Sequence, residues 1–515
     1  MASTFDFKAD QDGKGSRLMG PTSRATRFAC LIPALTVLGL TGAAPISESW
    51  DAVYIAGSKV GSIHTFIEPV KDRGRDLLRV RVQMELKFKR LKDSVSMSME
   101  YGTIETLEGE VLRLDVRTLA SGQEMRTHGD VIDKQMKIRL DGAGVQQEKT
   151  IPWDAEVRGP YAAEQSLSRK PIKVGETRPL KMFMPDLNRV CDVTLNAKEM
   201  EEVILGGGVK RQLLKIEQTT KLDGQARPEF DVTLWTDSGG QVLKSKTDTL
   251  GGMVTYRTTR EGATAQNDPN AKFDQINNSV VKITRKIPKP NMTRDVRYKI
   301  ALKGENPSKI FPNDRRQTVS PALKPSEIFL DVKTAGPNNG QAGPETVDES
   351  FLRPNAMITS DDVQVVSLAR TAVGNLNDPW EKAKAIQHWV AENLRDKNFQ
   401  VGFAPASEVA RNLAGDCTEH GVLVAAMCRA AGVPSRVAVG LLYVETLGGF
   451  GFHLWNEVYV NRRWVAIDAS FDENDVDAVH IKLSDSSLDG VSPFETFLPI
   501  VRVLGKMSIQ TVEIR

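Results

Sequence analysis

Cysteine is scarce in this sequence, which has four cysteines among 515 residues. Once the N-terminal segment containing Cys30 is set aside, Cys191, Cys417 and Cys428 remain, an odd number that is too small for a disulfide scaffold. Eleven residues of helix would also hold Cys417 and Cys428 roughly 16 Å apart, which is beyond the reach of a disulfide. We therefore expect side-chain packing to supply most of the stability.

An excess of charge of either sign is also missing. The 68 Lys and Arg residues nearly balance the 66 Asp and Glu residues, giving a net charge of +2, so the composition indicates neither a nucleic acid nor an anionic surface as partner. Histidine is rare as well, and His64, His128, His388 and His480 are scattered without the spacing of metal ligands. We therefore expect neither a metal site nor a cofactor.

Long hydrophobic runs are absent apart from one near the N-terminus. A polar lead with several Lys and Arg residues precedes FACLIPALTVLGLTGAA, residues 28–44. This run is slightly short for a membrane span, contains Pro33 and ends in small residues, which is typical of a signal peptide cleaved after Ala43 or Ala44. The alternative is an uncleaved anchor in residues 1–44, the only segment expected to contact a membrane. Either interpretation predicts a secreted or periplasmic protein.

Short alternating runs dominate residues 45–285 and predict half-buried strands. Examples are LLRVRVQMELKFK at 77–89 and KRQLLKIEQTTKL at 210–222, separated from other runs by glycine-rich breaks. The alternation predicts antiparallel β structure. We expect one β-rich domain at 45–180 and a second domain or lobe at 181–285.

A proline-rich and glycine-rich stretch, residues 286–355, follows the β region. Segments such as KIPKPNMT and TAGPNNGQAGPET are typical of turns, and VRYKIAL at 296–302 is the one expected strand. We interpret this stretch as a linker or an elaborated connection.

Helical periodicity begins near residue 360. Asp378 followed by Pro379 predicts a helix start before WEKAKAIQHWVAENLRDK. A second helix is expected to begin at Asp416 or Cys417 and to stop at Gly432. Three strand-like runs follow, SRVAVGLLYV, FHLWNEVYV and RWVAIDAS. The order predicts an α+β domain at 356–485, with residues 486–515 packing on its core.

Three residues of this domain have the chemistry of a thiol acyl-transfer site. Cys417 is expected in the first turn of a helix, where free N–H groups and the helix dipole favour a thiolate. His453 lies in one downstream strand and Asp468 ends the next, and adjacent antiparallel strands can bring them together. In this order the three residues would be the nucleophile, the base and the orienting carboxylate of thiol acyl transfer. A buried structural cysteine is the alternative for Cys417.

The motifs GDCTEHGVLVAAMCRAAGVPSRVAVGLLY, FHLWNEVYV and RWVAIDAS resemble the three core motifs of bacterial transglutaminase-like proteins. The resemblance covers roughly residues 360–480 and implies a papain-like fold of helices on an antiparallel sheet. It also implies that Cys417 is the nucleophile, His453 the base and Asp468 the orienting carboxylate. Thr418 stands where animal transglutaminases have Trp, and no acidic cluster resembles their calcium site, so calcium activation is not expected.

The neighbours of these three residues have simpler interpretations. Glu419 and His420 are expected to cap or solvate the helix, since only one base is needed. Trp455 is interpreted as core or pocket wall, and Asn456 as a partner of the backbone. Arg436 is expected in an ion pair.

The resemblance implies attack by Cys417 on a protein or peptide amide carbonyl through a thioester. Transfer of the acyl group to an amine would make a transglutaminase-like acyltransferase, and transfer to water a cysteine protease or amidase. A non-enzymatic binding protein that uses the fold for interaction is the alternative from another class. The substrate is expected to be a protein or peptide, without nucleic acid.

Overall fold

The computed structural model describes residues 46–90, 93–120, 123–142, 145–185, 187–248, 252–265, 273–338, 345–394, 404–489 and 493–515. The expected signal peptide or anchor at 1–44 lies outside these residues. No helix within the described ranges is long and apolar enough to cross a membrane.

The N-terminal region forms one large sheet in which strand neighbours are antiparallel, except for β9 and β10. Its strands are β1 (Ser47–Ile55), β2 (Ser58–Asp72), β3 (Arg75–Arg90), β4 (Asp93–Glu105), β5 (Val111–Ala120), β6 (Gln123–Ile132), β7 (Gln135–Gly142), β8 (Val145–Pro152), β9 (Val157–Arg158), β10 (Thr177–Met184), β11 (Arg189–Ile204), β12 (Lys210–Leu222), β13 (Gln225–Ala226), β14 (Val232–Thr236), β15 (Val242–Thr247) and β16 (Met253–Thr258). The strand order is β8-β7-β6-β5-β4-β3-β2-β1-β16-β15-β14-β12-β11-β10-β9, and β13 pairs with β12.

This sheet is continuous across the boundary expected between residues 180 and 181. Strand β10 spans that boundary, and β1 pairs with both β2 and β16, so the start and end of the region lie side by side. The alternating burial along β3 explains why it is a strand, because Val80 and Val82 are buried while Arg79, Arg81 and Gln83 are more exposed. Alternation of polar and apolar residues in a sequence identifies strands but does not show which strands pair with each other. The sequence alone therefore could not decide whether the β region is one sheet or two lobes.

Among the described residues of this region, three short helices accompany the sheet. They are α1 (Ala162–Arg169), α2 (Arg260–Thr264) and α3 (Gln275–Ser279). Helix α3 packs against β3 and, further along the chain, against the strand that carries His453. It therefore connects the N-terminal sheet with the C-terminal domain.

The stretch 286–355, expected to be a linker with one strand, contributes three strands of a second sheet. They are β18 (Asp295–Leu302), β19 (Gln317–Pro321) and β20 (Glu327–Lys333), after the short strand β17 (Val281–Lys282). With a strand from the C-terminus they form the order β19-β20-β18-β25, where β25 is Met507–Ile514. Every second residue of β18 is buried, and the prolines lie mainly in the connections. The proline-rich turns therefore led to the prediction of a linker where the chain forms a sheet.

The C-terminal domain has helices first and strands afterwards. Its elements are α4 (Val363–Val373), α5 (Pro379–Asn393), α6 (Ala406–Asn412), α7 (Cys417–Ala430), β21 (Ser435–Val444), β22 (Gly449–Val460), β23 (Arg463–Ile467), β24 (His480–Ser486) and α8 (Pro493–Val503). The sheet has the order β17-β22-β21-β24, with β23 beside β22. The α+β fold class, with a β-rich region before a domain of helices and sheet, is confirmed.

Helix α7 lies at the centre of this domain. It packs against β21 and β22 and contacts α4, α5 and α6. The run GVLVAAMC leaves it without a polar face, and residues 418–429 are buried. The expected start of α5 is confirmed, because Asp378 accepts hydrogen bonds from the backbone N–H groups of Trp380 and Glu381. This packing places the first residue of α7 beside β22.

Candidate active site

Cys417 is the first residue of α7, and Asp416 caps the helix. Asp416 Oδ1 accepts hydrogen bonds from the Thr418 backbone N–H at 2.9 Å and from Thr418 Oγ1 at 2.8 Å. Glu419 Oε2 accepts the Asp416 backbone N–H at 2.9 Å, which completes a capping box. The capping role expected for Glu419 is therefore confirmed. His420 Nδ1 lies 2.7 Å from the Asp416 carbonyl oxygen, at the same helix end.

The surroundings of the Cys417 sulfur favour the neutral thiol. Burial, the largest influence, and the charges of Asp416 and Glu419 raise the pKa of Cys417 well above its ordinary value. The interaction of the Leu454 backbone N–H with the sulfur and the charge of Arg90 act to lower this pKa and offset the rise only in part. The structure thus opposes the expectation that the helix start alone would yield a thiolate.

Two contacts fix α7 against β22 beside the cysteine. Asn456 Nδ2 donates a hydrogen bond to the Gly421 carbonyl oxygen at 2.8 Å, as expected for a side chain paired with the backbone. A Cβ atom on Gly421 would lie 2.1 Å from Leu454 Cδ2, so only glycine allows this approach without a shift. Cys417 is consequently held beside Leu454, the residue next to His453.

His453 and Asp468 are brought together as the strand order suggested. His453 lies in β22, and Asp468 follows the end of β23, which pairs with β22. His453 Nε2 lies 2.6 Å from Asp468 Oδ2, and both side chains are buried. Burial would raise the pKa of Asp468, but the charges and hydrogen bonds of His453 and His480 hold it well below the usual range. Asp468 is therefore ionised and fixes the orientation of the imidazole.

The structure does not place all three expected residues in one hydrogen-bonded chain. Within the described residues, no hydrogen bond joins the Cys417 sulfur to His453; the sulfur instead interacts with the backbone of Leu454. With Nε2 of His453 committed to Asp468, Nδ1 is the ring nitrogen left to exchange a proton with a thiol.

His480 also belongs to this cluster, although its position in the sequence indicated no role. It begins β24, where its Nε2 lies 3.2 Å from Asp468 Oδ2 and its Nδ1 lies 2.7 Å from Asp477 Oδ1. Burial would lower the pKa of His480, but the hydrogen bonds and charges of Asp468 and Asp477 raise it to about 9. His480 is therefore a buried cation at neutral pH. Only the pairing of β24 with β21 could have revealed it.

Aromatic rings surround the imidazole of His453. Trp455 is buried, as expected of core, with its ring centroid 6.1 Å from that of His453. Phe471 packs edge-on at 5.5 Å and is 54% exposed. The site therefore has an apolar, solvent-facing side next to the His453 imidazole.

Two groups of side chains in the described residues have donor sets that a metal ion could use. One is His453, Asp468 and His480, and the other is Glu473, Asp477 and His480, with the donor atoms of each group within 4.8 Å of one another. The 2.6 and 3.2 Å distances to Asp468 are those of direct hydrogen bonds. We therefore interpret the first group as a hydrogen-bonded chain.

Arg436 forms the expected ion pair, outside the site. Its guanidinium binds Glu457 at 2.6 Å and Asp485 at 2.9 Å. The three cysteines of the described residues are free thiols, as expected.

Comparison with known proteins identifies the class of the C-terminal domain. Residues 366–469 match the sequence model of the transglutaminase-like superfamily, and this match confirms the resemblance of the motifs. The chain therefore contains a transglutaminase-like domain preceded by a β-rich region. No curated protein sequence matches the chain.

Several solved structures are similar to parts of the chain. One, from Cytophaga hutchinsonii, is described as a proposed cysteine protease; it is 16% identical, covers 43% of this chain and 86% of its own, and has a TM-score of 0.28. A β-barrel-like protein of a domain family of unknown function from Brucella abortus is 10% identical, with coverage of 41% and 95% and a TM-score of 0.30. The periplasmic domain of TgpA from Pseudomonas aeruginosa, bound to ethylmercury, is 11% identical, with coverage of 36% and 93% and a TM-score of 0.21.

Proposed function

We propose that this chain is a transglutaminase-like thiol enzyme that attacks the amide carbonyls of proteins or peptides. The observation that supports it most is the buried pair of His453 and Asp468, one residue away from the Leu454 backbone that contacts the Cys417 sulfur. A nucleophile, a base and a group that orients the base are the parts that acyl transfer requires.

The reaction begins with the neutral thiol. Nδ1 of His453 takes the proton of Cys417 as the sulfur forms a bond to the amide carbonyl carbon. In this proposal the backbone N–H of Cys417, at the start of α7, stabilises the oxyanion, and one such donor is typically worth about 3 kcal/mol. The imidazolium then protonates the leaving nitrogen as the C–N bond breaks, and Asp468 stabilises its charge meanwhile. A thioester on Cys417 remains.

The fate of this thioester separates two enzymes that share the first half-reaction. Attack by a primary amine forms a new amide and regenerates the thiol, which is acyl transfer. Attack by water gives a carboxylic acid, which is the reaction of a cysteine protease or amidase. Transfer prevails only where the site excludes water and positions the amine.

A non-enzymatic binding protein is the alternative that one observation favours. Burial and two nearby carboxyl groups favour the neutral thiol of Cys417. A domain that is used only for interaction does not need a reactive cysteine, so this observation is compatible with a binding protein. The two hypotheses differ in whether His453 controls the reactivity of Cys417.

The test measures alkylation of Cys417 by iodoacetamide over a pH series, read by mass spectrometry. His453→Ala should slow alkylation and change its pH dependence, because the imidazole no longer accepts the proton. His128→Ala, in β6 of the N-terminal sheet, is the matched control and should react as the unchanged protein does. Equal rates in the protein and in His453→Ala would favour the binding protein.

A second assay distinguishes the two enzymes. Incorporation of a fluorescent primary amine into a glutamine-containing protein reports transfer, and cleavage of peptides reports hydrolysis. Cys417→Ala should abolish whichever activity is found, while Cys428→Ala, on the same helix, should retain it. Activity in Cys417→Ala would contradict the proposal.

We also propose that the protein acts on its substrates outside the cytoplasm. The apolar run at 28–44 supports this location. N-terminal sequencing of the exported protein should give a start after Ala43 or Ala44 if the segment is cleaved.

A further inference from the structure

The N-terminal sheet contacts the start of the cysteine helix directly. Arg90, the last residue of β3, donates a hydrogen bond from Nη2 to Asp416 Oδ2 at 2.9 Å. The two residues are 326 positions apart in the sequence. The Asp416 side chain is 5% exposed and that of Arg90 is 22% exposed, so the pair is shielded from solvent on the carboxylate side.

The two oxygens of Asp416 have different partners. Oδ1 caps α7 through Thr418, and Oδ2 binds Arg90. This division means that the carboxylate beside Cys417 is held both by its own helix and by the N-terminal sheet. A hydrogen bond from a charged donor to a buried carboxylate is among the stronger side-chain contacts.

The end of β3 is itself well fixed. Arg90 pairs with Asp93 of β4 in the sheet, and the preceding residue Lys89 forms a β-bridge with Asp274. The Phe88 ring packs edge-on against Phe273, with centroids 6.0 Å apart. The guanidinium is therefore presented from a rigid element, which is what precise positioning of a charge requires.

Charges that act on Cys417 come from several elements. Asp416 and Glu419 at the start of α7 disfavour the thiolate, and Arg90 from β3 favours it. Burial, followed by the charge of Asp416, raises the pKa of Glu419 to about 8. His453 from β22 is the proposed proton acceptor. The charge of Arg90 thus lowers the pKa of Cys417, whereas the charges of Asp416 and Glu419 raise it.

We propose that Arg90 is a positioning residue of this site, through which the N-terminal β region holds Asp416 and offsets its charge beside Cys417. The proposal depends on the proposed function, since it concerns the reactivity of the same thiol. It gives the β region a part in the chemistry in addition to any role in binding.

The experiment measures the pH midpoint of Cys417 alkylation by iodoacetamide in the full chain. Arg90→Gln removes the cation and should move the midpoint to higher pH by about one unit, which corresponds to about a tenfold lower thiolate fraction at a fixed pH below the midpoint. Arg90→Lys keeps the charge and should recover part of the shift. Arg79→Gln, on the same strand and paired with Glu68 at 2.8 Å, is the matched control and should leave the midpoint unchanged.

Asp416→Asn provides a second, independent variant. Asparagine can still cap the helix but has no charge, so the midpoint should move to lower pH. In the Asp416→Asn background Arg90→Gln should shift the midpoint by less, because only the direct effect of the Arg90 charge on the thiolate is lost and its hold on the Asp416 carboxylate is already gone. A full shift in that background would show that Arg90 acts by some route other than Asp416 and would overturn the inference.

The two proposals fail in different ways. If Cys417 reacts independently of His453 in every variant, the proposed function is wrong. If His453 controls Cys417 but the midpoints of the protein, Arg90→Gln and Asp416→Asn coincide, the proposed function stands and the role of Arg90 is wrong. Thermal unfolding of each variant shows whether a changed midpoint belongs to a folded protein.

Discussion

His480 Nε2 lies 3.2 Å from Asp468 Oδ2, the same oxygen that His453 Nε2 approaches at 2.6 Å. One carboxylate oxygen of Asp468 therefore lies within hydrogen-bond distance of two imidazole rings. On its other side, His480 Nδ1 binds Asp477 at 2.7 Å. Asp477, His480, Asp468 and His453 form a buried, hydrogen-bonded chain that extends from the proposed base into the interior.

This chain predicts a pH-dependent contribution to stability. The pKa of His480 is about 9 in the folded protein, against an ordinary value of 6.5. A raised pKa means that its contribution, on the order of 3 kcal/mol, is complete below pH 6.5 and is lost as the pH rises through 9. The difference in melting temperature between the protein and His480→Gln should therefore shrink as the pH is raised over this window. A constant difference for His480→Gln over this window would contradict the charged state.

Local signals in the sequence were sufficient for the elements that carry Cys417 and His453. A capping residue before an apolar run predicted the start of α7, and Asp378 with Pro379 predicted α5. These features depend on residues within a few positions of each other, and helix caps are local hydrogen bonds. The pairing of His453 with Asp468 followed from two consecutive strands joined by a short turn.

The parts that the sequence did not reveal depend on distant contacts. His480 reaches Asp468 because β24 pairs with β21, and Arg90 reaches Asp416 because the N-terminal sheet packs beside α7. The state of the thiol was also misjudged, since burial outweighs the favourable position at a helix start. Neither strand order nor burial can be read from spacing along one chain.

The close approach of α7 to β22 predicts a destabilising effect of Gly421→Ala. The added methyl group would lie 2.1 Å from Leu454 Cδ2, so the buried Leu454 side chain, the helix or the strand must shift, at a cost of about 1–3 kcal/mol. Leu454→Ala removes the obstructing atom, and the double variant should lose less stability than the sum of the two single variants. Urea unfolding measures the free energies, and strict additivity would show that the two side chains do not meet.

The three cysteines of the described residues should differ sharply towards an alkylating reagent. Cys191 and Cys428 are buried, and burial raises their pKa values to about 11 and about 12. Cys417 is partly accessible, and its sulfur contacts the backbone of Leu454, the residue after the proposed base. Under native conditions at neutral pH, mass spectrometry should find label on Cys417 before the other two, whereas in denaturant all should react alike. Earlier labelling of Cys428 would mean that α7 opens more readily than its packing indicates.

A buried ion cluster behind the site predicts a large effect of Lys482→Met. Lys482 Nζ lies 2.7 Å from Asp314, 2.9 Å from Glu457 and 3.3 Å from Asp485, and its side chain is 3% exposed. Removing the buried ammonium takes this cation from Asp314 and leaves Glu457 and Asp485 with Arg436 alone, which should reduce the free energy of unfolding by about 3 kcal/mol.

The matched control is Lys299→Met, which removes a surface pair. Lys299 lies 3.0 Å from Glu327, and its side chain is 36% exposed, so solvent can compensate and the loss should be below about 1 kcal/mol. Because Asp314 belongs to the stretch before β19 and Lys482 to β24, the cluster also ties the second sheet to the strand of His480. Lys482→Met should therefore change the pH dependence of Cys417 alkylation as well, whereas Lys299→Met should not. Similar unfolding energies for the two variants would show that the cluster contributes no more than a surface pair.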